Sequence, residues 1–135
     1  MDPVVHFELP AEDRERMAAF YRAAFGWQIE LLGPEMGSYT IATTTETVDG
    51  RPTTPGQINV GFFLKSDDAT ANTPSVVIAV DDIDAAISAV EQAGGTVSGP
   101  PMEIPGVGTF AGFRDSEGNR VSMLQPLPRG SGQGG

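Results

Sequence analysis

Val4-Val5-His6-Phe7-Glu8-Leu9 alternates with a period of two, so Val5, Phe7 and Leu9 share one face of a pleat and His6 and Glu8 the other. An apolar face of this kind packs on a helix. The opposite face then presents an imidazole and a carboxylate, and His6 is the sole histidine of the chain.

Downstream of this strand, Pro10 predicts a break in the ladder, and Ala11-Glu12-Asp13 opens a helix to about Phe25. Its expected buried stripe is Met17, Phe20, Tyr21, Ala24 and Phe25, with Gly26 as C-cap. Strands are expected over Trp27–Leu32, Gly37–Thr44 and Ile58–Lys65. Between the last two, Thr45–Gln57 is a mobile loop or a hairpin extension. The polar stretch Ser66–Pro74 has no periodicity and serves as a linker.

The plan then repeats. Ser75–Val80 is a strand, Asp81 the expected N-cap, and Ile83, Ile87, Val90 and Ala86 the apolar stripe of a second helix ended by Gly94-Gly95. Strands follow at Thr96–Ser98, Met102–Ile104, Val107–Arg114 and Arg120–Gln125, and Pro126–Gly135 is expected to fray. These signals predict an α+β fold of two β-α-β-β-β modules, 3–65 and 75–126, joined by the 66–74 linker and followed by a flexible tail, 127–135. A curled mixed sheet enclosing a cleft, with the helices on its outer faces, is the expected architecture. A ferredoxin-like β-α-β-β-α-β parse leaves two strands unplaced.

The 135 residues suffice for one domain with a sizeable core. Eighteen acids against eight bases give a net charge of −10, which opposes nucleic-acid binding. A cleft for a cationic ligand and a self-repelling surface both fit this charge, and the scatter of the acids favours the surface. No apolar run reaches the roughly 20 residues of a membrane span. The absence of cysteine removes disulfides, thiolate metal sites and thiol nucleophiles. With no secretory signal visible, a cytoplasmic location is the expectation.

The order and spacing of several short motifs carry a resemblance over about residues 3–126. They are His6 with Phe20-Tyr21 fourteen positions on, Phe25-Gly26-Trp27, and Val80-Asp81-Asp82-Ile83-Asp84. Gly94-Gly95, Pro105-Gly106-Val107-Gly108 and Phe113-Arg114-Asp115-Ser116-Glu117-Gly118-Asn119 complete the set. The chain resembles the vicinal oxygen chelate superfamily of lactoylglutathione lyases, extradiol dioxygenases and bleomycin-resistance proteins. Within it, the chain is similar to the single-domain group related to lactoylglutathione lyase.

The resemblance implies a cleft in which metal-dependent members hold a divalent ion with one residue from the first and last strand of each module. Here His6 fits the first position, Asn59 or Gly61 the second, Ser75 the third and Ser122 the fourth. Hydroxyls and an amide are poor donors for a transition metal, and His6 and Glu8 lie about 7 Å apart along one strand. No cofactor is therefore expected. His6, Glu8, Tyr39, Asn59, Ser75 and Ser122 are the expected ligand-binding residues, with His6 and Glu8 the catalytic candidates. Trp27, Met36, Phe62, Phe63 and Phe110 are candidate pocket walls.

Three functions compete: a metal-independent small-molecule binder, a divergent lyase, isomerase or oxygenase-like enzyme using His6 and Glu8, and an interaction module with a closed cleft. The resemblance also implies a homodimer.

Overall fold

The computed structural model describes residues 1–128. The chain has an α+β fold with mixed sheets. It divides into two compact units, one of residues 6–74 and one of residues 75 onward together with residues 1–5.

Strand β1, Val4–Ala11, passes through Pro10 without a break. From His6 onward it runs parallel to β6, Asn59–Leu64, in the register His6 to Asn59, Glu8 to Gly61 and Pro10 to Phe63. The predicted stop at Pro10 is thus corrected, and the helix starts later. Asp13 is the N-cap of α1, Arg14–Phe25, and its side chain accepts the Arg16 N–H at 3.0 Å. Gly26 closes the helix at φ 73°, with its N–H on the Arg22 carbonyl.

The first unit continues through β2, Gln28–Leu31, a 3-10 turn at Pro34–Met36, and β3, Thr40–Thr43. The strand order β2-β3-β6-β1 has antiparallel β2-β3 and β3-β6 pairs. The polar 45–57 stretch forms a small hairpin of β4, Thr47–Val48, and β5, Arg51–Pro52. Asp49 and Gly50 at its tip both have positive φ, as a tight hairpin turn requires. The 66–74 segment holds a 3-10 turn at Ala69–Ala71, capped by Asp68.

The core of this unit joins Ala11, Ala42, Val60 and Phe62 to Phe7, Leu9, Met17, Tyr21, Trp27 and Ile29. Phe7 and Leu9 therefore face the helix, as their alternation requires. Trp27 stacks on Tyr21 with centroids 4.4 Å apart and planes 7° from parallel. Trp27 and Phe62 are core rather than pocket walls. Phe20 and Phe25, expected in the buried stripe, are 58% and 65% exposed, because the helix turns Met17, Ala18 and Tyr21 inward instead.

The second unit has the same plan. Strand β7, Ser75–Ala79, leads to α2, Ile83–Gln92, whose N-cap is Asp82 rather than Asp81. The Asp82 side chain accepts the N–H groups of Asp84 and Ala85, the first-turn donors that a cap satisfies. Strands β8, Thr96–Val97, and β9, Met102–Ile104, both pair with β10, Gly108–Arg114. Strand β11, Arg120–Pro126, is antiparallel to β10 and parallel to β7. The order β8-β10-β11-β7 matches that of the first unit.

Val80, Ile83, Ala111, Phe113 and Met123 make the second core, with Ala86, Ile87 and Val90 of α2 against it. Pro126 belongs to β11, and the Leu127 N–H donates to the Val107 carbonyl at 3.2 Å, so the fraying expected from Pro126 does not begin there. The remainder of that expectation, from residue 129 on, lies outside the described residues.

Candidate functional site

With Phe7, Leu9, Val60 and Phe62 committed to the helix side, His6, Glu8, Asn59, Gly61 and Ile41 occupy the helix-free face of the first unit's sheet. Glu8 is 4% exposed and Gly61 sits directly opposite it on β6. Tyr39 follows the 3-10 turn and enters the sheet just before β3. Its hydroxyl donates to Glu8 Oε2 at 2.7 Å, a short charge-assisted bond. A Cβ at position 61 would fall on the Tyr39 hydroxyl, so glycine there is a requirement of space. Burial raises the Tyr39 phenol well above its usual range, and the charge of Glu8 and the bond to it add to the shift. Tyr39 is therefore a proton donor at any physiological pH.

Arg14 sets the position of Tyr39. From α1 its Nη1 donates to the carbonyls of Leu32 at 2.5 Å, Ser38 at 2.9 Å and, more distantly, Tyr39 at 3.3 Å. Composition and spacing gave no warning of this contact, since an arginine in the first turn of a helix reads as a solvated charge.

His6 shares the face with Glu8. Desolvation lowers its pKa from 6.5 to about 4, so its imidazole is neutral at pH 7 and can accept a proton or a hydrogen bond. Asn59 is committed elsewhere. Its Oδ1 accepts the Thr44 N–H at 2.9 Å and its Nδ2 donates to Thr47 Oγ1 at 3.0 Å, so it tethers the hairpin to β6. Thr44 and Thr47 also line an open recess of about 640 Å³, together with Gln28, Thr43, Thr45 and Glu46. None of the six predicted ligand-binding residues lines that recess.

Ser75 and Ser122 lie in the second unit. The Ser75 hydroxyl donates to its neighbours' backbone, at 3.2 Å to the Val76 carbonyl and 3.4 Å to that of Arg120. Ser122 Oγ is fully buried on β11 with no hydrogen-bond partner among the described residues. That leaves an unsatisfied hydroxyl, which ordinarily costs about 1–3 kcal/mol.

The first unit's donors do not fit a divalent metal. His6 supplies one nitrogen, Glu8 is held by Tyr39, both ends of the Asn59 amide are engaged, and position 61 has no side chain. Among the described residues, no group of three or more His, Asp or Glu side chains is placed to hold an ion. The same residues show no helix long and apolar enough to cross a membrane.

A family model described as the Glyoxalase/Bleomycin resistance protein/Dioxygenase superfamily matches residues 4–123. A glyoxylase-like domain-containing protein of Didymella fabae is 35% identical, with 83% of this chain and 84% of that protein covered. The anthracycline biosynthesis protein DnrV of Streptomyces peucetius is 31% identical over 83% of this chain, which spans only 42% of its length. Among solved structures, a methylmalonyl-CoA epimerase in complex with methylmalonyl-CoA and NH4+ superposes with a TM-score of 0.68. It covers 94% of this chain and 96% of that one at 16% identity, a likeness of fold alone.

Proposed function

The chain belongs to the Glyoxalase/Bleomycin resistance protein/Dioxygenase superfamily, and from that premise we propose that it is a metal-independent small-molecule-binding protein. The functional unit is the single domain 3–126, and the ligand meets the helix-free face at His6 and Tyr39. One observation carries the reading: Glu8, the carboxylate next to His6 on that face of β1, is already bonded to the Tyr39 hydroxyl. A neutral imidazole and a phenol donor are hydrogen-bonding groups suited to orienting an organic ligand. The net charge of −10 favours a neutral or cationic ligand over an anionic one.

Metal analysis of untagged protein tests the first part. Nickel, zinc, iron, manganese and cobalt should together stay below about 0.1 equivalents, and a stoichiometric metal sinks the reading. A thermal-shift screen of uncharged and cationic aromatic compounds tests the second, with saturable stabilisation expected and its loss expected in His6→Ala.

A second reading, an enzyme in which His6 accepts a proton with Glu8 nearby, is favoured by the neutral imidazole. It requires turnover that His6→Ala abolishes, whereas a binder only loses affinity. For the assembly, the exposed Phe20 and Phe25 support a homodimer. Sedimentation as a 14.2 kDa monomer at micromolar concentration would rule that out.

A further inference from the structure

Two features of the first unit's sheet depend on each other. Gly61 keeps an ordinary backbone conformation, since it is absent from the glycines with positive φ, so nothing in the chain path calls for glycine there. What calls for it is the Tyr39 ring and hydroxyl, which occupy the space a Cβ would take. The occupied space lies beside Glu8, across one parallel strand pair, and two residues along from His6. Neighbouring strands are about 4.8 Å apart, so a carboxylate or imidazole at position 61 would stand next to Glu8 and near His6. His6 and Glu8, about 7 Å apart on one strand, are too far apart to hold an ion by themselves, and a long carboxylate at position 61 would add the third donor that could converge with them.

We infer that Tyr39 is a specificity-determining positioning residue. Seated over Gly61, it fills the place of a donor side chain on β6, ties up Glu8 and excludes a divalent ion from this face. This rests on the metal-independent reading above and names the residue responsible for it. The bond also keeps Glu8 satisfied in a position where a lone buried carboxylate would be costly. Tyr39 thus does for Glu8 what a cation would otherwise do. Arg14 holds the turn that delivers it.

The test is Ni²⁺ titration calorimetry on four untagged proteins: wild type, Tyr39→Ala, Tyr39→Ala/Gly61→Glu, and that double variant with His6→Ala added. The double variant should bind one Ni²⁺ at least about tenfold more tightly than wild type, and the added His6→Ala should remove the gain. Tight stoichiometric binding by wild type would sink the metal-independent reading. Wild type without metal, together with a folded double variant that gains nothing, would overturn this inference alone.

A second measurement stands even if the double variant fails to fold. The chain has two tyrosines, and absorbance at 295 nm follows their ionisation. Tyr39 should resist ionisation in folded wild type, and Glu8→Gln should lower its alkaline midpoint, although burial still holds it above that of an exposed phenol. Two tyrosines titrating together near pH 10 in folded wild type would overturn the placement of Tyr39 against Glu8.

Discussion

Arg14 donates to the carbonyl of Ser38 at 2.9 Å, and the same Nη1 reaches that of Leu32 at 2.5 Å. One guanidinium thereby clasps both ends of the 3-10 turn that precedes Tyr39. Hydrogen bonds from charged donors contribute about 1.5–3 kcal/mol each, partly offset here by the exposure of the site. Arg14→Met should lower stability by about 2 kcal/mol in urea denaturation. It should also loosen Tyr39, seen as a lower alkaline midpoint at 295 nm. Unchanged stability and titration would show that the turn holds without the clasp.

Gly61→Ala places a methyl group where the Tyr39 hydroxyl lies. Overpacking of this kind costs about 1–3 kcal/mol, and the Glu8 bond would go with it. In a Tyr39→Ala background the same substitution should cost little. A double-mutant cycle should therefore return a coupling of about 1–2 kcal/mol. Additive effects would separate the two residues.

His6 has a folded pKa of about 4 against 6.5 unfolded. Above pH 6.5 neither state is protonated there and the residue has no pH-dependent effect. Between pH 6.5 and 4 the unfolded chain takes up a proton that the folded chain refuses, so stability falls as pH falls and levels off below 4. The loss is on the order of 3 kcal/mol. Chemical denaturation at pH 7 and pH 4 should show a steeper decline for wild type than for His6→Gln. Parallel declines would mean that His6 is solvated in the folded state.

Asn59→Ala releases the hairpin from β6 by removing the bonds to Thr44 and Thr47. A cost of about 1–3 kcal/mol is expected, because the Thr44 N–H loses its acceptor. Hydrogen exchange should accelerate at residues 44–53 and stay unchanged in α2. Uniform acceleration across the chain would point instead to a general loss of stability.

The fold was legible where periodicity alone decides it. Phe7 and Leu9 take the helix side because successive strand residues must alternate, and Ile83, Ile87 and Val90 line one face of α2 because 3.6 residues make a turn. Phe20 and Phe25 misled, since apolar residues at helical spacing mark a stripe but do not say how far the neighbouring sheet extends to cover it. Pro10 misled because a missing N–H breaks a ladder only where that N–H had a partner.

Positions of the candidate site could be read one by one. His6, Glu8 and Tyr39 could be placed on one face by strand parity. The bond between Glu8 and Tyr39 could not, because it depends on a 3-10 turn and a guanidinium clasp that leave no periodic trace. Gly61 was the one available signal. A glycine inside a strand marks close approach, and what approaches it is Tyr39.

The Ala79 N–H donates to the Pro3 carbonyl at 2.9 Å, and residues 1–5 group with the later part of the chain rather than with the strand they begin. Residues 1–5 are made well before β7, so they find their partners only once residues 75–79 have followed. The sheet built on β7 is completed by a segment far from it in sequence, so its closure comes late, and damage at residues 1–5 would be felt around Ala79.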